Sequence, residues 1–143
     1  MMRISTKGRY AVRIMLDLAQ HAEGDPVALR DVAERQRITP KYMESIMSLL
    51  LREGLVVSAR GKSGGYRLSR PASDYTVYDI LCAAEGDLAP VACLSQTPQG
   101  CELADRCATL PVWRGLDEII RGYLSGVHLS ELAAGDTPAC GEM

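Results

Sequence analysis

The segment from Thr39 to Gly54 carries its own start and stop signals, and a glycine-rich hairpin pattern follows it at once. Thr39 suits a helix N-cap, and Pro40 suits the first helical position, where its missing N–H costs nothing. Gly54 marks the end. Met43, Ile46, Met47 and Leu50 fall on one face, while Lys41, Glu44, Ser45, Ser48 and Arg52 fall on the other. Just before it, a short helix after Pro26 is expected to bury Leu29, Val32 and Ala33, and Gln36-Arg37-Ile38-Thr39 makes a tight turn. Two helices joined by a short turn, the second with a polar outward face, make a helix-turn-helix. Leu55 to Arg60 then suits an extended strand, Gly61-Lys62-Ser63-Gly64-Gly65 a flexible tip, and Tyr66 to Ser69 the return. A helix-turn-helix followed by a basic hairpin is a winged helix, so the pattern predicts a mostly α fold with a small β-hairpin.

The flanks extend this plan. Ser5 or Thr6 can cap a first helix running to about His21, with Tyr10, Ile14, Met15, Leu18 and Ala19 on one face. Pro71 to Tyr75 is expected to be a linker. Thr76, with Asp79 three residues on, opens a fourth helix that buries Val77, Ile80, Leu81 and Ala84. An irregular loop from Glu85 to about Gln99 follows, and Glu102 to Cys107 suits one helical turn. Val112 to Ser125 predicts a long amphipathic helix gathering Leu116, Ile119, Ile120, Tyr123 and Leu124, and a short helical piece near Ser130 to Ala134 comes last. A helix so placed often finds its partner across a homodimer. The chain divides in function at 1–75, the winged helix, and 76–143, the cysteine loop with its dimerisation helix.

Charge divides at nearly the same place. Residues 1–70 hold 13 Lys/Arg against 7 Asp/Glu, a balance of +6; residues 71–143 hold 3 against 11, a balance of −8. A basic half joined to an acidic one points to a polyanion partner for the first half only. With no Phe in 143 residues, Leu, Ile, Val and Met must fill the core. Arg3, Lys7, Arg9, Arg13 and Asp17 interrupt any signal-peptide stretch, and no apolar run approaches the roughly 18 residues of a membrane span. The expectation is a cytoplasmic protein without membrane contact.

In that setting five cysteines should be reduced unless they bind something. Cys93, Cys101 and Cys107 crowd one short stretch. Three loop thiolates suit an iron–sulfur cluster with a fourth ligand from the protein, a small molecule or solvent. Zinc needs four ligands, and the spacing lacks a Cys-x-x-Cys knuckle. A reversible disulfide would make a thiol-redox sensor, and a plain structural loop is the remaining reading. Cys82 suits a small packed hydrophobe inside a helix, and Cys140 a tail residue. Glu102, Asp105 and His128 are candidates for a fourth ligand, though solvated acids and a helix cap are their commoner roles. His21 suits a charge at a helix C-terminus. Neither His sits in a context that pairs it with a cysteine, so no nucleophilic enzyme is expected.

On the winged helix, Thr39, Lys41, Tyr42 and Ser45 occupy the end of the third helix that meets base edges and phosphates of double-stranded promoter DNA. Glu44 can accept from a cytosine amino group. Arg60 and Lys62 supply charge on the wing, and Gly64 and Gly65 allow close approach to the sugar–phosphate backbone.

Several stretches resemble the IscR-type family of bacterial winged-helix regulators: Met2-Arg3-Ile4-Ser5-Thr6-Lys7-Gly8-Arg9-Tyr10-Ala11-Val12, the wing Arg60-Gly61-Lys62-Ser63-Gly64-Gly65-Tyr66-Arg67-Leu68, and Cys107 followed by Val112-Trp113-Arg114. The likeness spans roughly residues 2 to 134. It implies a homodimer on palindromic promoter sites and a 2Fe–2S or 4Fe–4S cluster on Cys93, Cys101 and Cys107. It also implies sensing of iron–sulfur, nitric oxide, redox or cysteine status. Seven residues separate Cys93 from Cys101, a wider spacing than in most members. The two positions at which members place a fourth ligand hold Leu110 and Arg9 in this chain. A cluster-free regulator, controlled by thiol redox or by a partner protein, is the alternative.

Overall fold

The computed structural model describes residues 4–21, 25–61, 64–95 and 102–136. Helix α1 (Thr6–His21) is the central strut, with Ala11, Ile14, Met15 and Leu18 fully buried. Ser5 caps it: its carbonyl accepts from the Arg9 N–H at 3.1 Å and its hydroxyl from the Gly8 N–H at 3.3 Å. Helices α2 (Leu29–Gln36) and α3 (Pro40–Arg52) form the helix-turn-helix. The apolar face expected of α3 is the buried one, and its bounds match the Thr39, Pro40 and Gly54 signals.

Strands β1 (Val56–Ala59) and β2 (Gly65–Leu68) pair antiparallel in the register Val56 with Leu68 and Ala59 with Gly65. Gly65 thus opens a strand instead of belonging to the tip. A third short piece joins the sheet, because Val27 and Tyr66 exchange N–H···O bonds of 2.8 Å in both directions. Nothing local in the sequence marks Val27 as a strand partner.

The expected linker is firmly anchored. Ala72–Asp74 makes a 3-10 turn, and Tyr75 is fully buried. Its hydroxyl donates to the Leu55 carbonyl at 2.8 Å and accepts from the Ser69 and Arg70 N–H groups at 3.1 Å each. Burying a ring whose polar tip finds three partners offsets the desolvation of the hydroxyl. Helix α4 (Val77–Glu85) opens with the expected reciprocal cap between Thr76 and Asp79; Ile80, Leu81 and Ala84 are buried, while Val77 is only half-buried.

Two further 3-10 turns, Ala92–Leu94 and Ala104–Arg106, flank residues 96–101. Helix α5 (Leu110–Ser125) starts two residues earlier than the sequence suggests, since Pro111 is tolerated in a first turn. Helix α6 (Leu129–Ala134) returns to the body: the Val77 N–H bonds the Val127 carbonyl and the Leu129 N–H bonds the Tyr75 carbonyl, both at 2.9 Å. Leu129 then enters the core beside α1. One apolar cluster runs from Ala11 to Leu129, across the point at which charge and composition change.

Candidate nucleic-acid interface and cysteine loop

The end of α3 that carries the expected DNA contacts is held by α1. Thr39 is exposed, and its hydroxyl accepts from the Tyr42 N–H at 3.4 Å, so it serves as the cap. Tyr42 is half-buried and packs edge-on to Tyr10, ring centroids 5.7 Å apart. Lys41, Glu44 and Ser45 are exposed. Arg13 donates through Nε to the Gln36 side-chain oxygen at 3.0 Å and through a terminal nitrogen to the Gln36 carbonyl, fixing the turn that precedes α3.

Beneath that turn lies a polar network that the sequence reading missed. Asp17 is fully buried and accepts from Arg35 at 2.7 and 3.0 Å and from the Gln36 amide at 2.8 Å. The fork of Arg35 matches both carboxylate oxygens, and the pairing raises the Arg35 pKa above its ordinary value. His21 closes the last turn of α1, its Nδ1 at 2.9 Å from the Asp17 carbonyl, in keeping with the expected C-terminal position. An acid four residues before His21 gave the only sequence signal for this cluster.

On the wing, Arg60 is exposed. Lys62 lies outside the described residues. Both glycines have internal reasons to be there: a Cβ on Gly65 would stand 2.3 Å from the Val27 carbonyl oxygen, and one on Gly64 would stand 2.8 Å from that of Gly61. Close approach of backbone to backbone within the protein therefore requires them, whatever else they do.

The cysteine loop starts at a second strut. Glu85, the last residue of α4, accepts from the Ser5 N–H at 2.9 Å and from the Ser5 hydroxyl at 2.5 Å, so the end of α4 caps the start of α1. Gly8 leaves room for it, since a Cβ there would meet the Glu85 carboxylate at 2.2 Å. Asp87 next accepts from the Ala89 N–H at 2.8 Å and from the Ser95 hydroxyl, which clasps the 3-10 turn containing Cys93.

Cys93 is exposed; Cys107, directly before α5, is half-exposed. The Cys107 sulfur lies 3.3 Å from the Thr109 hydroxyl, and that hydrogen bond, with the Thr109 backbone N–H, lowers its pKa. Cys82 behaves as the expected packed residue: burial against α4's surroundings raises its pKa. Cys101 and Cys140 lie outside the described residues. Glu102 and Asp105 are exposed, His128 is half-buried with its N–H on Glu131 at 3.2 Å, Leu110 is buried, and Arg9 is exposed beside Thr6. Among the described residues, no group of three or more His, Cys, Asp or Glu stands close enough to hold a metal ion.

Helix α5 is the least covered of the α-helices. Val112 is 61% exposed, Leu116 40% and Ile119 66%, and Leu110 is its one buried residue.

The geometry has close counterparts. The family model described as "Rrf2: Iron-dependent Transcriptional regulator" matches residues 4–135. The HTH-type transcriptional regulator IscR of Photorhabdus laumondii is 44% identical over 131 residues, covering 92% of this chain and 79% of that protein. The IscR of Serratia proteamaculans matches over the same spans at 44%. Among solved structures, T. potens IscR is 33% identical with a TM-score of 0.75, covering 98% of this chain and 94% of its own. CymR, the global cysteine regulator of B. subtilis, is 32% identical with a TM-score of 0.71, covering 94% and 98%. These are winged-helix transcription regulators, and the chain belongs to the Rrf2 family.

Proposed function

We propose that this protein is a homodimeric, cytoplasmic transcription regulator whose binding to promoter DNA is controlled by an iron–sulfur cluster on Cys93, Cys101 and Cys107. Thr39, Lys41, Tyr42, Glu44 and Ser45 enter the major groove from each protomer, and Arg60, Lys62, Gly64 and Gly65 of the wing follow the backbone. The observation that carries this reading is the polar N-terminal end of α3, exposed while its opposite face is locked in the core. The uncovered apolar side of α5 supports the dimer, because a patch of this kind marks an interaction surface. Among the described residues no helix is long and apolar enough to cross a membrane.

The donor chemistry suits the cofactor. Cys93 and Cys107 carry free thiols that reach solvent, and the Thr109 contacts hold Cys107 toward the thiolate, the form that ligates iron. The cluster would supply a redox- and nitric-oxide-reactive centre between α4 and α5. Glu102, Asp105, His128, a small molecule or solvent would complete its ligation. Residues 1–75 read DNA, and residues 76–143 sense and dimerise.

Iron, sulfide and visible absorption of anaerobically purified protein test this. Sulfide-to-iron bands should vanish in Cys93→Ser, Cys101→Ser and Cys107→Ser and persist in Cys82→Ser and Cys140→Ser. A second reading, a cluster-free regulator switched by thiol redox, draws on the lowered pKa of Cys107. Protein without acid-labile sulfide but with a reversible Cys101–Cys107 disulfide would replace the first reading with it.

A further inference from the structure

Three helices are followed by a glycine with positive φ: Gly54 (73°) after α3, Gly86 (83°) after α4 and Gly135 (81°) after α6. Helix α2 ends otherwise. Arg37 takes φ 55° and ψ 46°, and it is the only non-glycine with positive φ among the described residues. The turn is a Schellman-type ending, with the Ile38 N–H on the Ala33 carbonyl at 3.0 Å and the Arg37 N–H on the Glu34 carbonyl at 3.3 Å. That ending favours glycine, because a Cβ in the left-handed region crowds the following carbonyl. A side chain kept against that preference points to a use for the side chain.

Nothing among the described residues supplies that use. Arg37 is exposed, and no carboxylate among the described residues pairs with it. Its neighbour Arg35, by contrast, is engaged with Asp17. Arg37 stands two residues before the cap of α3, and Arg13 pins the adjoining Gln36 through both its side chain and its carbonyl. The backbone that carries this cation is thus held at the end of α3 that carries Lys41.

Resting on the DNA-binding reading above, we propose that Arg37 is a phosphate-backbone contact, kept in a left-handed conformation because its guanidinium binds the phosphodiester beside the bases that α3 reads. The planar fork suits phosphate, and a contact of this kind positions the protein without specifying sequence.

The test compares Arg37→Gly, Arg37→Asn and Arg37→Lys with wild type, on a palindromic duplex and on a scrambled one, by fluorescence anisotropy across a salt series. Gly and Asn accept the left-handed region, so both should melt about 2–5 °C higher than wild type. Both should bind the two duplexes about tenfold more weakly, with the slope of log affinity on log salt shallower by about one to two per dimer. Arg37→Lys should keep the wild-type slope. Unchanged affinity and slope in Arg37→Gly overturn the contact. Loss confined to the palindrome with the slope unaltered means a base contact instead, and a melting temperature that does not rise removes the strain. A wild-type protein that binds neither duplex at about 50 mM salt defeats the DNA-binding reading itself, independently of any variant.

Discussion

Asp17 is a fully buried charge on which the helix-turn-helix rests, and both side chains that donate hydrogen bonds to it reach solvent. Arg35 and Gln36 can rehydrate when it is removed, so the loss should be moderate. Asp17→Asn should lower the free energy of unfolding by about 1–3 kcal/mol, read from urea melts at unchanged slope. Arg30→Ala, which removes an exposed pair with Asp31 at 4.0 Å, should stay within about 0.5 kcal/mol. The cysteines differ in the opposite sense at the same scale. Hydrogen bonds from Thr109 lower the Cys107 pKa and burial raises that of Cys82, so thiolate at Cys107 persists to lower pH. In the metal-free protein, iodoacetamide should label Cys107 well before Cys82 at pH 7, and Thr109→Val should slow that labelling. Equal rates would remove the Thr109 contact from the account. Local signals such as caps and helix stops were legible at this scale. Asp17 was not, because its meaning depends on Arg35 arriving from another helix.

Helix α5 leaves Leu116 and Ile119 of its amphipathic stripe exposed and Ile120, Tyr123 and Leu124 half-buried, and the expected partner for that stripe is a second copy. Ile120→Glu should give a protein of wild-type helical circular dichroism that sediments as a monomer and binds a palindrome poorly. Unfolding would instead place Ile120 in the intradomain core, and a monomeric wild type would remove the dimer. Element bounds were readable where chemistry marks both ends: α3 runs from Pro40 to Arg52 between Thr39 and Gly54, as the sequence suggests. The hairpin was readable as a pair of strands, yet not in its third pairing. Val27 has no pattern around it, and only Gly65, bare enough to approach its carbonyl, permits that pairing.

For the whole molecule, the proposed functional division does not coincide with a division in folding. Tyr75 locks the wing to the segment before α4, and Ile80, Ala84 and Leu129 share one cluster with α1. A fragment ending at residue 75 should therefore lose cooperative thermal unfolding, although it contains every proposed DNA contact. A sharp transition in that fragment would mean that the winged helix is stable by itself. The winged-helix plan was legible because its parts are consecutive. The packing of α6 on α1 was not, since Leu129 looks like any residue of a short terminal helix until Tyr75 ties it down.

Glu85 gives this integration a thermodynamic consequence. The carboxylate that ends α4 also accepts from Ser5, the cap of α1, so the start of the cysteine loop is tied directly to the helix that supports the proposed DNA-reading turn. Coupling free energy is reciprocal: whatever the loop does to operator affinity, the operator must do to the loop by the same factor. On the proposed function, bound promoter DNA should therefore change the affinity of Cys93, Cys101 and Cys107 for the proposed cluster, measured as the equilibrium between chelator and protein, while scrambled duplex changes it less. Glu85→Gln should reduce that difference and leave the cluster's absorption bands in place. On that reading the promoter acts as an effector of the proposed sensor, and the number of unoccupied operators enters the signal.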